Sequence, residues 1–186
     1  EKIFPDWDAW ERAFAAVQDA LPALAARRGT LGDGPAALRE AIEAIHGVQR
    51  QLEVVAVYAS MRSDEDTRDS RNTARRGRAG SLATRFAETV SWFEPELLGL
   101  PDQTVDRYLE QDQELRLYAH WLDDLRRMRP HTLDADREAL LAAVGNLTRG
   151  PGRVFSALSD ADLRFPTIED ADGNEVELSH ARFGKY

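Results

Sequence analysis

The sequence contains no cysteine, which excludes disulfides and thiolate metal sites and permits a reducing cytoplasm, the expected location. It contains no apolar run near the roughly 18 residues that a membrane-spanning helix requires, so no membrane partner is expected. Positive charge is scarce: 24 Lys and Arg stand against 33 Asp and Glu, leaving a net charge of −9. That balance argues against a nucleic acid or an anionic lipid surface as the main partner. Histidine is scarce too, with four in the chain, and none of His46, His120, His131 and His180 has another four residues away. The HExxH helix, which holds zinc on one face beside a general base, is therefore absent. The one Gly-rich stretch, TRGPGRV, lacks the GK[ST] ending of a phosphate loop and follows no strand. The Ser residues have no context that would assemble a Ser–His–Asp set. There is no initiator Met before EKIFPDWDAW and no closing element after LSHARFGKY; the expectation is a piece of a longer chain.

What is present describes an ordinary globular interior. Apolar residues make up 42% and charged residues 31% of 186 positions, enough for folding to bury about 70% of the unfolded surface. Phe4, Trp7, Trp10, Phe14, Val17, Leu21 and Leu24 recur at spacings of three and four, one face of a helix that Pro22 should kink or break. A Gly/Pro connector, RRGTLGDGP, precedes a second long helix carrying Leu38, Ile42, Ile45, Leu52, Val55 and Ala59. Val48 and Val54 widen its stripe, which predicts burial on more than one side. A third helix, with Asp66 as candidate cap, carries Ala79, Leu82, Phe86, Val90 and Phe93 and should end at Glu94-Pro95. Asp102 is the candidate cap of a short helix through Val105, Tyr108 and Leu109. A longer one, from Leu115 to Met128, is terminated by Pro130. Asp134 then caps a helix running to about Gly145, and NLTRGPGRV loosens the chain. Only after Phe165 does the period change to β-type runs around Asp172-Gly173-Asn174, a hairpin signal. The fold expected is mainly all-α: a bundle of long antiparallel helices over 1–160, with a small C-terminal β-hairpin in 161–186.

Candidate sites compete with plainer explanations. RPHTLDADREALLA sets His131 beside carboxylates, but Asp134 followed by acidic residues is also how a helix begins. Glu-x-x-His occurs at Glu43/His46 and Glu177/His180, as in carboxylate-bridged di-iron sites, yet the second pair falls at the hairpin, off any shared helix face. His120 and Asp124 can face each other at i, i+4, and two ligands do not make a metal site. Arg71, Arg75 and Arg78 share a helix face with Arg76 alongside. They suggest either an anion patch or a solvated face compensating Asp64, Glu65, Asp66 and Asp69, with Asp64 and Arg68 at i, i+4. Trp7, Trp10, Trp92 and Trp121 sit in apolar helical patterns and are expected in the core.

The order of these segments resembles the N-terminal portion of oligoendopeptidase F, a zinc metallopeptidase related to the thimet oligopeptidases. The resemblance is carried by VYASMRSDEDT with Asp66 and Thr67, by FEPELLGLP with Pro95 and Glu96, and by RPHTLDADREALLA with His131, Thr132, Leu133 and Glu138. FSALSDADLRFPTIEDADGNEVELSH adds Asp162, Phe165, Asp172 and Gly173. It spans nearly the whole chain; the first thirty residues match in helical character only. Arg137 stands where such a protein often has an acidic residue, which weakens a capping box there.

What the resemblance implies is a wall of an enclosed cavity. Zinc, its ligands and the general base would come from an HExxH helix later in the parent chain. This chain by itself would bind no metal, carry no catalytic residue and use these motif positions structurally. Its partners would be its own catalytic region and, for the parent, oligopeptide substrates. A piece of this kind should also expose an apolar surface, on the wide second helix, and self-associate through it. The alternative is a free-standing helical interaction module without enzymatic activity. The cap chemistry is testable at once: Asp134→Ala should cost about 1 kcal/mol, read as a lower melting temperature, and an unchanged melt would mean that the helix starts elsewhere.

Overall fold

The long helix α2 (Pro35–Glu65) organises the first of two compact units, Glu1–Thr148. The computed structural model describes residues 3–131, 133–159 and 163–185, without the side chains of Ala135, Glu138, Asn146, His180 and Ala181. Along its length α2 packs against α1 (Trp7–Ala25), α3 (Ser70–Val90), α5 (Asp102–Gln111) and the single turn Leu115–Tyr118. The bundle is completed by α4 (Phe93–Gly99), α6 (Ala119–Arg127), α7 (Ala135–Ala143) and α8 (Gly145–Thr148). The second unit, Arg149–Tyr186, holds α9 (Gly150–Ala157), strands β1 (Thr167–Glu169) and β2 (Glu175–Glu177), and the short α10 (His180–Phe183). The architecture is mainly all-α, long antiparallel helices with one small hairpin, as the periodicity indicates.

The α2 stripe runs through three cores along one face, and the burial on more than one side that its width predicts is not found, since Val54 stays exposed. Towards its start, Leu38, Ala41 and Ile42 join Trp92, Phe93, Leu97, Val105, Tyr108, Leu115 and Leu122. Further along, Leu52 joins Val17, Leu21, Leu24, Leu82 and Phe86, while Val55 and Ala59 meet Trp10 and Ala79. Trp10 is fully buried and donates its indole N–H to the Val55 carbonyl at 2.9 Å, which meets the need of a buried indole for a partner. Trp92 is buried too, and Trp7 and Trp121 lie partly buried in ring contacts. The stripe is wider than its neighbours: Val54, Val57 and Met61 remain 40, 49 and 54% exposed.

Several boundaries differ from the sequence expectation, each for a local reason. Pro22 lies inside an unbroken α1; it sits in the last turn, and the one carbonyl it leaves unpaired belongs to exposed Gln18, within reach of water. Asp69, not Asp66, caps α3, accepting from the Arg71 N–H at 2.9 Å, while Asp66 turns the chain by accepting from the Arg68 N–H at 3.0 Å. Glu94-Pro95 does not end α3, which stops at Val90. It lies in the first turn of α4, where N–H groups have no helical partner and proline is tolerated. Asp102 is the first residue of α5 and not its cap; its carboxylate pairs with Arg129 at 2.6 Å, which holds it below the usual aspartate range. The expected Leu115–Met128 helix is split into the Leu115–Tyr118 turn and α6. The stretch expected to be loose instead holds α8 and the start of α9, separated at Arg149, and Pro151 is accommodated in the first turn of α9.

Two expectations are met as written. Asp134 caps α7 by accepting from the Arg137 N–H at 3.0 Å. The hairpin pairs Thr167 with Glu177, Ile168 with Val176 and Glu169 with Glu175. Its loop is held by the Asp170 carboxylate, which accepts from the N–H groups of Asp172 and Asn174. Gly173, at φ +83°, takes the left-handed conformation that the turn requires.

Truncating the central indole tests the packing. Trp10→Ala should cost about 3–5 kcal/mol, the usual range for a fully buried large aromatic, measured by denaturant unfolding; a loss below about 1 kcal/mol would mean that α1 is not anchored on α2 through Trp10.

Candidate functional site

The arginine face of α3 is neither an anion patch nor simply solvated: it covers the aromatic start of the bundle. Arg75 lies over the Trp7 ring at 4.1 Å, and Arg78 over the Phe14 and Trp10 rings at 4.6 and 5.4 Å, positions where a cation is attracted to the ring face. Arg78 donates to both oxygens of Glu11 at 2.7 Å. That bidentate bond holds the Glu11 carboxyl below its ordinary range, so its stabilisation is present above the unfolded glutamate pKa and is lost as pH falls through the lowered folded value. Arg71 pairs with Asp69 and Arg76 with Asp64, whereas Arg68 turns to Asp66 instead of Asp64. Arg76 and Arg78 thus tie α3 to α2 and α1, while Arg68 and Arg71 make local pairs at the start of α3 and stay exposed.

The motif residues of FEPELLGLP converge on a hollow of about 460 Å3, lined by Arg28, Gly29, Gly32, Trp92, Pro95, Glu96 and Leu100. Glu96 is its structural centre. One carboxylate oxygen accepts from the Gly29 N–H at 2.7 Å and the other from the Leu31 N–H at 2.9 Å. Gly29, at φ +85°, presents its amide from a backbone conformation that L side chains rarely adopt. Tyr108 adds a hydroxyl bond to the Gly32 carbonyl at 2.7 Å. With both oxygens accepting from backbone N–H groups, Glu96 is a clamp on the α1–α2 connector. Nothing local in the sequence announced this bond, which spans more than sixty residues.

The other motif positions are dispersed. Asp66 and Thr67 form the α2–α3 turn; His131 is exposed in the single turn Arg129–His131, and Leu133 is 40% exposed just before the α7 cap. Phe165 is half-buried, and Asp172 and Gly173 make the hairpin turn. Thr132, Asp162 and the side chain of Glu138 lie outside the described residues.

Glu43 and His46 do not act as a ligand pair: Glu43 bonds Arg39 at 3.1 Å, and the His46 ring lies 5.7 and 5.2 Å from those of Tyr118 and Trp121. His120 meets Asp124 at 3.5 Å, almost fully in solvent. Among the described residues no three His, Asp or Glu side chains gather into a metal set, so they do not fit the tetrahedral donor demand of zinc. A network that sequence reasoning missed ties α2 to α5: Arg39 bonds Asp112 at 2.9 Å and lies 3.3 Å from Glu114. Asp112 accepts from the Leu115 and Glu114 N–H groups and is held below its usual range, first by the Leu115 bond. The visible signal was an aspartate three residues before the apolar Leu115, a cap pattern.

Residues 96–165 match the family described as Oligopeptidase F, a span that begins at Glu96 and takes in the His131 and Phe165 motifs. Oligopeptidase PepF of Bacillus subtilis (strain 168) is 36% identical over 98% of this chain. The crystal structure of oligoendopeptidase-F from Enterococcus faecium superposes with a TM-score of 0.83 at 36% identity over 94% of it. The chain belongs to the oligoendopeptidase F family, as its N-terminal helical portion. The group B oligopeptidase PepB of Streptococcus agalactiae serotype III (strain NEM316) is 33% identical over 97% of the chain. The chain spans 27% and 30% of the length of the two curated oligopeptidases and 34% of the crystallised oligoendopeptidase-F chain. In this oligoendopeptidase F domain no helix among the described residues is long and apolar enough to cross a membrane.

The Glu96 clamp can be tested by a near-isosteric change. Glu96→Gln keeps one acceptor and sets an NH2 group against the other backbone N–H, so a loss of about 1–2 kcal/mol is expected, together with faster amide exchange at Gly29 or Leu31. Unchanged exchange at both amides would refute the clamp.

Proposed function

We propose that this domain forms one wall of the peptide-binding cavity of an oligoendopeptidase F-type zinc metallopeptidase that hydrolyses short peptides in the cytoplasm. The observation that carries the proposal is the pairing of two facts. Nearly the whole chain superposes on about a third of oligoendopeptidase-F, and the described residues hold no cluster able to ligate a metal. A domain with a family's fold whose described residues gather no donor set is assigned shape and exclusion in the reaction. Zinc, the general base and the bond-breaking step are assigned to the remainder of the polypeptide, and oligopeptides are its substrates.

In this role residues 1–160 act as the helical wall and 161–186 as the lead-in to the catalytic region. A rigid helical wall admits extended peptides, turns away folded proteins and keeps the cleft poor in bulk water. The rigidity has identifiable sources in the first unit: α2 buried against three cores, and the α1–α2 connector held by Glu96. Asp66, Thr67, Pro95, Glu96, His131, Thr132, Leu133, Glu138, Asp162, Phe165, Asp172 and Gly173 are assigned structural roles, consistent with the turns, clamp and cap that the described ones make.

The 186-residue chain, dialysed against zinc, should retain no stoichiometric metal and leave a quenched oligopeptide uncut, while the longer polypeptide cleaves it in a chelator-sensitive way. Stoichiometric zinc with chelator-sensitive cleavage by the 186-residue chain would overturn the wall assignment, and a longer polypeptide inactive on short peptides would overturn the peptidase assignment.

A further inference from the structure

Besides Val54, Val57 and Met61 of α2, the first unit exposes large apolar side chains on α7 and α8. Among the described residues, buried apolar side chains run from Trp10 to Leu122 and none follows. Helix α7 packs on α3, yet its half-buried residues include the small Ala139 and Ala142, while Leu140 and Leu141 stand 65 and 55% exposed and Leu147 of α8 79%. An amphipathic helix ordinarily buries its leucines; this one has the sense reversed. A single exposed leucine is unremarkable in a soluble protein, but three within eight residues, on helices that bury no leucine of their own, mark an interaction surface. By comparison, Val54, Val57 and Met61 of α2 belong to a helix that buries Leu38, Ile42, Leu52 and Val55 on its other face. The second unit repeats the pattern by itself, with Val154, Phe155 and Leu158 at 70, 65 and 50% exposure around α9.

We infer that Leu140, Leu141 and Leu147 form a docking surface for the remainder of the longer oligoendopeptidase F polypeptide, and that α7 and α8 acquire their core only in that contact. The naming of this partner rests on the wall-domain proposal. Two observations select it over a second copy of the chain. The relatives and the crystallised oligoendopeptidase-F are about three to four times as long as their match to these residues, so polypeptide is available to cover the face. A second copy would bring another net charge of −9, and like charges oppose self-association.

Hydrogen exchange on the wild-type 186-residue chain and on the longer polypeptide is the first measurement. The amides of residues 135–148 should exchange about tenfold or more slowly in the longer polypeptide, because local opening is suppressed where a helix gains buried contacts. The second is Leu140→Asp combined with Leu147→Asp. It should leave the melting temperature of the 186-residue chain unchanged and lower that of the longer polypeptide by several degrees. Equal exchange in both forms overturns the inference, as does an equal loss of melting temperature in both, which would mean that the leucines pack within this chain. Concentration-dependent slowing in the 186-residue chain, abolished by the double substitution, would give the surface to a second copy and also overturn it. Peptide hydrolysis is scored separately. A longer polypeptide that protects α7 and α8 but cuts nothing keeps the docking surface and removes the peptidase proposal; cleavage without protection does the reverse.

Discussion

The burial of one face of α2 along its length is the constraint from which the rest of the bundle follows. One half of the helix closes a core with α4, α5 and the turn at Leu115–Tyr118, and the other half closes two more with α1 and α3. A helix of 31 residues with a buried stripe along one face needs several neighbours to cover it. The stripe must be covered towards both ends, and that fixes which elements become its neighbours. The Trp10 indole bond to the Val55 carbonyl sets the register of α1 on α2 by satisfying a polar group inside the core.

Charge in this protein is mostly used at the seams between helices. The Arg78–Glu11 bond ties α3 to α1, Arg39 with Asp112 ties α2 to α5, and Arg129 with Asp102 ties the end of α6 to α5. Each pair is substantially solvated on at least one partner or lies near the surface, so each is worth modest stability. Their larger effect is geometric: they orient helices whose cores are already closed. Glu96 does the same with uncharged partners, converting two backbone N–H groups of a glycine-containing connector into a fixed corner. These devices suit the wall role proposed for this domain.

Burial is distributed unevenly along the chain, and this bears on what the domain is for. The first two thirds supply all three cores, while α7 and α8 offer leucines outward and the second unit carries a hairpin with three-residue strands. A two-stranded hairpin of that size is marginal alone, and a unit below about 40 residues rarely sustains its own core. Such a gradient is what a domain shows when part of its interior is completed by another region.

Helix existence, the Asp134 cap and the hairpin turn were legible in the sequence, because period 3.6, an N-cap aspartate and an Asp-Gly-Asn turn are local signals read within a few residues. Family membership was legible for a related reason: motifs such as FEPELLGLP and RPHTLDADREALLA are local strings. Boundaries at Pro22 and Pro95 were not, since whether a proline breaks a helix depends on its turn and on what its unpaired carbonyl meets. The expected Asp64–Arg68 pair lost to Arg76 from the facing helix. Only the tertiary structure could assign Glu96 to the backbone of residues 29–31 or Arg75 to the ring of Trp7, for those partners lie more than sixty residues apart. It alone also decided that α7 packs through its small side and leaves its leucines out. Periodicity shows that a helix has an apolar face, but which side is covered depends on what the rest of the polypeptide places against it.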